Sequence, residues 1–128
     1  MRITIKKRRG YLYVVTHDDK IENLWGDFLG VCFQFPDDFD PVLRRIRRVT
    51  HGTWTSYGGG DMPMFFEIDR EKAELHSYRH PDKDGNPTLV ATLPVGDFEK
   101  LIRAWQREFE IAKGKKDGEV WDMAVDFE

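Results

Sequence analysis

Residues 65–112 read FFEIDREKAELHSYRHPDKDGNPTLVATLPVGDFEKLIRAWQREFEIA, in which strand-like runs lead into one amphipathic helix. Apolar side chains recur in the helical part at the three- and four-residue spacing that gathers them on one stripe. These side chains are Phe98, Leu101, Ile102, Trp105, Phe109 and Ala112. Pro94 near the start and Gly114 after the end predict a helix over about residues 95–113. Because the stripe must be buried, we expect this helix to pack on a sheet.

A turn-forming cluster precedes this helix. Residues 82–87 read DKDGNP, and their Asp-Gly pair is typical of the tight turn between two paired strands. The runs on either side, residues 74–78 and 88–93, are strand-like, so the sequence predicts a hairpin. The same cluster is acidic enough to suggest a calcium loop, but the ladder of ligands and the closing glutamate of such a loop are missing.

The N-terminal segment predicts another hairpin, formed by residues 3–6 and 11–16 and turned at Arg8-Arg9-Gly10. Its second strand has apolar side chains on both faces. Tyr11, Tyr13 and Val15 lie on one face, and Leu12 and Val14 lie on the other. We therefore expect this hairpin to be covered on both sides.

The segment that follows is ambiguous. Residues 18–30 have apolar residues at helical spacing, but Gly26 interrupts them, which favours a short helix or a packed loop. Residues 31–35 are β-prone and predict a strand that ends at Pro36.

A shorter helix is predicted next. Asp40 stands directly before Pro41, a pair that is typical of an N-cap and a first helical residue, so we expect a helix over residues 41–50. Its apolar stripe consists of Val42, Leu43, Ile46 and Val49. Its other face carries the four arginines Arg44, Arg45, Arg47 and Arg48.

The remaining elements are strands and a loop. Residues 53–57 are β-prone, residues 58–63 are glycine-rich and predict a flexible loop, and residues 64–68 predict a strand. Residues 121–127 alternate between apolar and mainly acidic side chains, as in a strand with one buried face. The chain is therefore predicted to be one α+β domain over residues 1–128, with a mainly antiparallel sheet.

The composition agrees with this prediction. A chain of 128 residues has room for one hydrophobic core and not for two. No run approaches the roughly 20 apolar residues of a membrane-spanning helix, and the basic N-terminus lacks the apolar segment of a signal peptide. We therefore expect a cytoplasmic protein without a membrane partner. Cys32 is the only cysteine, and its β-prone surroundings favour a buried side chain over a nucleophile.

Charge is distributed unequally between the two ends, although the net charge is only −3. The basic residues near the N-terminus are Arg2, Lys6, Lys7, Arg8 and Arg9. The acidic residues near the C-terminus are Asp117, Glu119, Asp122, Asp126 and Glu128. If the terminal strands lie side by side, these ends attract each other. If they lie apart, each end offers a patch to a partner of opposite charge.

No spacing in the sequence indicates a metal or nucleotide site. His76 and His80 stand four residues apart, but on an extended strand they would be about 13 Å apart, too far to share one ion. Glycines 58–60 lack the strand-glycine-helix context of a phosphate-binding loop. We therefore expect neither a metal nor another cofactor.

One stretch suggests catalysis or nucleic-acid binding. In an extended conformation His51, Thr53 and Tyr57 share one face beside the arginine-rich helix, a set that could cleave RNA through its 2′-hydroxyl group. The arginines and Trp54 could also bind RNA. A solvated helix face is the more common role of such arginines, and the pI of about 5.8 is low for a nucleic-acid-binding protein. A small RNA-binding or RNA-cleaving protein is thus the alternative hypothesis.

Two runs in the second half resemble a known class of proteins. Residues 64–78 read MFFEIDREKAELHSY, and residues 88–105 read TLVATLPVGDFEKLIRAW. Together they resemble the small bacterial immunity proteins of polymorphic toxin and contact-dependent growth inhibition systems. The resemblance implies a cytoplasmic α+β protein that is not an enzyme and that binds and neutralises one cognate toxin domain, often a nuclease.

Such a partner suggests a role for the acidic residues. A nuclease needs a basic substrate-binding surface, and clustered carboxylates on an inhibitor accelerate association with it. The residues expected to contact the toxin are Asp117, Glu119, Asp122, Asp126 and Glu128. A second acidic candidate consists of Asp37, Asp38 and Asp40.

Overall fold

Residues 1–127, the part of the chain that the computed structural model describes, form seven β-strands and three α-helices. In chain order they are β1 (Arg2–Arg8), β2 (Tyr11–Val15), α1 (Lys20–Cys32), α2 (Phe39–Thr50), β3 (Tyr57–Asp61), β4 (Met64–Ile68), β5 (Lys72–Ser77), β6 (Thr88–Pro94), α3 (Val95–Ala112) and β7 (Val120–Ala124). The predicted α+β class, with an amphipathic helix near the C-terminus, is confirmed. Within the described residues, no helix is both long and apolar enough to cross a membrane.

The strands form two antiparallel sheets. Sheet A has the strand order β2-β1-β7, and sheet B has the order β3-β4-β5-β6. Strand β1 therefore pairs with its hairpin partner β2 on one side and with the C-terminal strand β7 on the other. The basic and the acidic ends of the chain thus lie side by side. Because alternate residues of a strand point to opposite faces, each sheet presents one face to the core and one face outward.

Two helices join the sheets into one core. Helix α1 contacts β1 and β2 of sheet A as well as β4 and β6 of sheet B, and α3 contacts β5, β6 and β7. The ring of Phe28 in α1 lies 5.7 Å from the ring of Phe66 in β4 and 5.9 Å from that of Phe98 in α3. Ile3 and Ile5 of sheet A belong to the same buried cluster. The apolar side chains therefore form a core that spans both sheets.

Helix α3 begins at the predicted residue and packs through the predicted stripe. The fully buried members of that stripe are Phe98, Leu101, Ile102 and Trp105. Phe109 is partly buried beside them, and the indole N–H of Trp105 donates a 2.7 Å hydrogen bond to the carbonyl of Phe33. Glycine after a helix often ends it in the left-handed conformation, but Gly114 does not adopt a positive φ, and its amide donates to the carbonyl of Ile111 in a further tight turn.

The strand predicted over residues 31–35 is wrong, because helix α1 continues through Cys32. Asp19 is the N-cap of the helix, and its side chain accepts a 2.9 Å hydrogen bond from the amide of Glu22. Its buried residues are Trp25, Gly26, Phe28 and Leu29. Burial of this helical stripe outweighs the β-propensity of the last residues, which is only a weak preference.

Gly26, which argues against a helix in the sequence, lies where α1 approaches sheet A most closely. A Cβ atom at this position would lie 2.7 Å from Cγ1 of Val14 in β2. The glycine thus lowers helix propensity but allows the helix to pack against the strand.

Helix α2 buries the predicted stripe but begins earlier than predicted. Its first residue is Phe39, so that Asp40 lies inside the first turn and is not the N-cap. A turn of 3-10 helix at Pro36–Asp38 precedes it, and the carboxylate of Asp38 accepts a 3.1 Å hydrogen bond from the amide of Phe35. Asp40 still stabilises the helix, because negative charge is favourable near a helix N-terminus.

The flexible loop predicted over residues 58–63 is also wrong. Residues Tyr57–Asp61 form β3, which pairs along its length with β4 and turns back through the cis peptide bond Met62-Pro63. The β-prone residues before Tyr57 form bends and irregular backbone instead of a strand. Backbone pairing with β4 orders these glycines, which have no side chains to give a strand signal.

Candidate functional site

The acidic residues predicted to bind a partner lie around one edge of sheet A. Asp117 and Glu119 belong to the turn before β7, Asp122 lies on the outward face of β7, and Asp126 is exposed after it. Glu128 lies outside the described residues. Strand β7 is an edge strand of its sheet, so these residues border a surface that a partner can reach.

Several of these carboxylates have contacts within the chain. Asp122 accepts a 2.8 Å hydrogen bond from the hydroxyl of Thr4 on β1, and Asp117 accepts one of 3.1 Å from the amide of Arg9. Glu119 accepts a 3.0 Å hydrogen bond from the amide of Lys116. The acidic end therefore does not form an isolated patch, because the basic strand β1 and the lysines of the preceding turn lie beside it.

The outward face of sheet A exposes a group of apolar and aromatic side chains, which we call the tyrosine face. It consists of Tyr11, Tyr13 and Val15 on β2, Val120 on β7, and Thr4, Lys6 and Arg8 on β1 between them. The exposed fractions are 47% for Tyr11, 51% for Tyr13, 37% for Val15 and 56% for Val120. The expectation that the first hairpin is covered on both sides is therefore wrong.

The register fixes how charged and aromatic side chains alternate on the tyrosine face. Tyr13 lies opposite Lys6, and Tyr11 lies opposite Arg8. On the next strand Asp122 lies opposite Thr4. The long basic side chains of β1 thus lie between the aromatic rings of β2 and the acidic edge strand β7.

The residues of the alternative catalytic site are not gathered on one extended face. The amide of His51 donates to the carbonyl of Arg47 at the end of α2, and the amide of Trp54 donates to the carbonyl of Arg48, so this segment turns back on the helix. The ring of Tyr57 packs on Phe66, 5.4 Å away. His51 and Thr53 are instead exposed in the turn. The prediction of a shared face for His51, Thr53 and Tyr57 is wrong because helix capping, not strand formation, orders these residues.

The arginines of α2 contact the aromatic residues near them. The guanidinium of Arg48 lies 5.3 Å from the ring centre of Trp54, and that of Arg45 lies 5.8 Å from that of Tyr57. These cation–π contacts tie the turn to the helix. All four arginines are exposed, as predicted for the solvated face of this helix.

Cys32 has the properties of an inert thiol. Burial raises the pKa of the Cys32 thiol to about 11, although the amide of Asp61 donates a 3.4 Å hydrogen bond to its sulfur and acts in the opposite direction. A thiol with this pKa is protonated near neutral pH and is a poor nucleophile.

Sheet B brings together three side chains that no spacing along the sequence links. Oxygen atoms of Glu67 and Glu74 and a ring nitrogen of His76 lie within 4.8 Å of one another. His76 and His80 do not form the pair considered from the sequence, since His80 lies beyond the end of β5. The feature that brings these three residues together is the pairing register of β4 and β5. That register depends on the turn between the two strands and not on the spacing of residues along either strand.

That turn is fixed by Asp69. Its carboxylate accepts hydrogen bonds from the amides of Lys72 and Glu71, at 2.9 Å and 2.8 Å, and these bonds lower the pKa of Asp69. The turn sets Glu67 directly opposite Glu74. A pocket of about 280 Å³ beside them is lined by both glutamates and by Gly58.

Comparison of the chain with models of known protein families, with curated proteins and with solved structures finds no match.

Proposed function

We propose that this chain is a bacterial immunity protein, which binds and neutralises a cognate toxin domain and performs no chemistry itself. The observation that carries the proposal is the tyrosine face, on which exposed aromatic and aliphatic side chains lie on paired strands among charged residues. Protein-binding surfaces are enriched in tyrosine and arginine, and on this face Lys6 and Arg8 lie between the apolar side chains of the two edge strands. The resemblance of residues 64–105 to immunity proteins supplies the class of partner.

Tyr11 and Tyr13 are the anchors of the proposed interface. Each ring is about half exposed, so a partner that covers it removes further apolar area from water. A tyrosine has only two rotatable side-chain bonds, and its position on a paired strand means that little entropy is lost on binding. Val15 and Val120 extend the apolar area along and across the sheet.

The acidic residues beside this face supply long-range attraction in the proposal. Asp122 and Asp126 are exposed and lie at or after the edge strand β7. A basic nuclease domain would approach this edge faster than a neutral surface, because complementary charge accelerates association. Asp122 lies on the same face of sheet A as the tyrosines and Asp126 follows β7, so we take these two as the main steering residues.

Non-catalytic inhibition is favoured over RNA cleavage by two observations. The one cysteine is a partly buried thiol with a raised pKa. In addition, His51 and Thr53 lie in an exposed turn away from the ring contacts of Tyr57, so they do not form the acid–base set that RNA cleavage requires.

An immunity protein is expected to be encoded beside its toxin, so the test uses a candidate toxin domain encoded by an adjacent gene. We expect the chain to bind that domain and to protect cells that express it. Tyr13→Ala should raise the dissociation constant by about 30-fold, mainly through faster dissociation, because truncating an interface anchor typically costs about 2 kcal/mol. Tyr78→Ala is the matched control, since Tyr78 is 38% exposed but lies beyond the end of β5 in sheet B.

A separate set of variants tests the predicted role of the acidic residues in association. Asp122→Lys combined with Asp126→Lys should slow association and reduce its dependence on salt. Glu71→Lys combined with Asp84→Lys reverses the same number of exposed acids near turns of sheet B and should have little effect. Asp122→Asn keeps an acceptor for Thr4, which separates loss of charge from loss of the hydrogen bond.

Two results would contradict the proposal. Equal affinities of Tyr13→Ala and Tyr78→Ala for the toxin domain would exclude the tyrosine face as the interface. RNA degradation by the isolated chain that is lost in His51→Ala would replace inhibition with the catalytic alternative.

A further inference from the structure

A second site follows from the outward face of sheet B, which the proposed function does not use. Glu67 on β4 lies directly opposite Glu74 on β5, and Phe65 lies opposite His76. Glu74 and His76 are two residues apart on one strand, so their side chains share a face. Two carboxylates and an imidazole are therefore held together by backbone pairing and not by a mobile loop.

The imidazole of His76 is held in place by its neighbours, but one of its ring nitrogens has no hydrogen-bond partner among the described residues. Its Nε2 atom is buried and has no hydrogen-bond partner among residues 1–127. The ring stacks on Phe65 at a centroid distance of 5.0 Å and an interplanar angle of 6°. Nε2 lies 4.0 Å from Oε2 of Glu67 and 3.9 Å from Oε1 of Glu74, too far for hydrogen bonds but close to both carboxylates.

The two glutamates are a like-charged pair and repel each other. Like charges directly opposite each other on neighbouring strands destabilise a sheet. The ammonium group of Lys72 lies 3.8 Å from Oε2 of Glu74 and offsets part of this repulsion, while Glu67 is 61% exposed. A cation between the carboxylates would remove the repulsion and would give Nε2 of His76 a partner.

We infer that Glu67, Glu74 and His76 form a binding site for a divalent ion of the zinc class. A tetrahedral Zn²⁺ with bonds of about 2.0–2.2 Å places its ligand atoms roughly 3.3–3.6 Å apart. The three ligand atoms lie within 4.8 Å of one another, so small rotations of both glutamate side chains would bring them to this spacing. Two carboxylates and one imidazole suit Zn²⁺ better than Ca²⁺ or Mg²⁺, which prefer oxygen ligands alone.

The surroundings allow an ion to enter. Glu67 and Glu74 line the pocket of about 280 Å³ next to Gly58, which has no side chain to close it. Three protein ligands leave a fourth position for water. Lys72 competes with the ion for Glu74, so removal of its charge should tighten binding.

The test is a titration of the chelator-treated chain with ZnCl₂, followed by calorimetry, and with CoCl₂, followed by visible absorption. We expect one ion per chain, and a weakening of at least about tenfold in His76→Ala and in Glu67→Gln. Lys72→Gln should bind the ion more tightly. His17→Ala is the matched control, because His17 Nε2 lies 3.8 Å from a single carboxylate, that of Glu22.

Each outcome decides the inference. Loss of binding in His76→Ala and Glu67→Gln, with His17→Ala unchanged, supports the site. Absence of binding at about 1 mM Zn²⁺, the weak end of specific affinities, would overturn it. Equal affinity of His76→Ala and the unaltered chain for Zn²⁺ would also overturn it. So would an equal affinity of the unaltered chain for Mg²⁺ and for Zn²⁺. Glu67→Gln changes an exposed side chain, so it remains informative even if His76→Ala does not fold.

Discussion

The outward faces of the two sheets differ in how their opposite residues interact. On sheet A, Asp122 lies opposite Thr4 and accepts its hydrogen bond at 2.8 Å. On sheet B, Glu67 lies opposite Glu74, a like-charged pair. Cross-strand pairs stabilise a sheet when they are complementary and destabilise it when both carry the same charge. The outward face of sheet A thus carries a complementary pair beside apolar side chains, which suits a protein partner, whereas that of sheet B carries a like-charged pair, which suits a cation.

This difference is informative because the two faces share one core. Helices α1 and α3 contact both sheets, so the outward faces are not properties of two separate units. A change in the shared core should affect both sheets together, a change at one helix–sheet contact should report on one sheet, and a change on an outward face should have the smallest effect.

The largest effect is expected for Trp105→Ala. Trp105 is fully buried in α3, and its indole N–H donates to the carbonyl of Phe33. The substitution should lower the free energy of unfolding by about 3–5 kcal/mol, as for other large truncations in a core. Urea unfolding should show one transition, and hydrogen exchange should accelerate in sheets A and B alike.

The control for this substitution is Trp54→Ala, because Trp54 is exposed and contacts Arg48 through a cation–π interaction. It should cost no more than about 1 kcal/mol. A loss below about 1 kcal/mol for Trp105→Ala, or separate transitions for the two sheets, would show that the sheets do not share a core.

Smaller changes in stability, of opposite sign, are expected for alanine substitutions at the two glycines of α1. A Cβ at Gly26 would lie 2.7 Å from Cγ1 of Val14, whereas a Cβ at Gly30 would lie 3.6 Å from Cγ2 of the same residue. Alanine in a helix is favoured over glycine by about 1 kcal/mol, but overpacking costs about 1–3 kcal/mol. Gly26→Ala should therefore destabilise the protein by about 1 kcal/mol, and Gly30→Ala should stabilise it by up to about 1 kcal/mol.

Thermal or urea unfolding of both variants measures this difference. The two substitutions are chemically identical and lie one helical turn apart, so they differ mainly in the distance to β2. If Gly26→Ala were as stabilising as Gly30→Ala, α1 would not be in close contact with sheet A. The strands of the tyrosine face would then not be packed against α1 on their inner side.

The elements predicted correctly from the sequence are those whose side-chain pattern and backbone environment agree. Helix α3 has a wide apolar stripe, and the turn between β5 and β6 has Asp82, whose carboxylate accepts hydrogen bonds from two amides, and Gly85 with a positive φ of 81°. Helix α1 was missed in part because Gly26 weakens the local helix signal for the sake of a contact with Val14 that only the folded chain contains.

The candidate sites, too, depend on contacts that only the folded chain contains. The acidic residues are visible in the sequence, but the nearby hydroxyl of Thr4 and the amide of Arg9 come from the other end of the chain. Likewise, the sequence compares His76 with His80 along one strand, while its neighbours Glu67 and Glu74 are set by cross-strand register. Local spacing predicts which side chains share a face, and long-range pairing decides which of them meet.

The smallest expected effect tests the comparison of the two faces directly. In the presence of a chelator, Glu67→Gln should raise the free energy of unfolding by about 0.2–1 kcal/mol, because it removes one of two like charges. Lys72 lies 3.8 Å from Glu74 and offsets part of the repulsion, so a gain near the lower limit is expected. Asp122→Ala on sheet A should instead lower stability by about 0.5–1 kcal/mol, because it removes the partner of Thr4.

Urea unfolding of the two variants, together with Glu74→Gln and the double variant Glu67→Gln/Glu74→Gln, isolates the pairwise term. The double variant should gain less than the sum of the two single changes, since either substitution alone already relieves the same repulsion. A loss of stability in Glu67→Gln would mean that His76 and Lys72 already balance both carboxylates. In that case the outward face of sheet B would be as self-sufficient as that of sheet A, and a cation would have no repulsion to relieve.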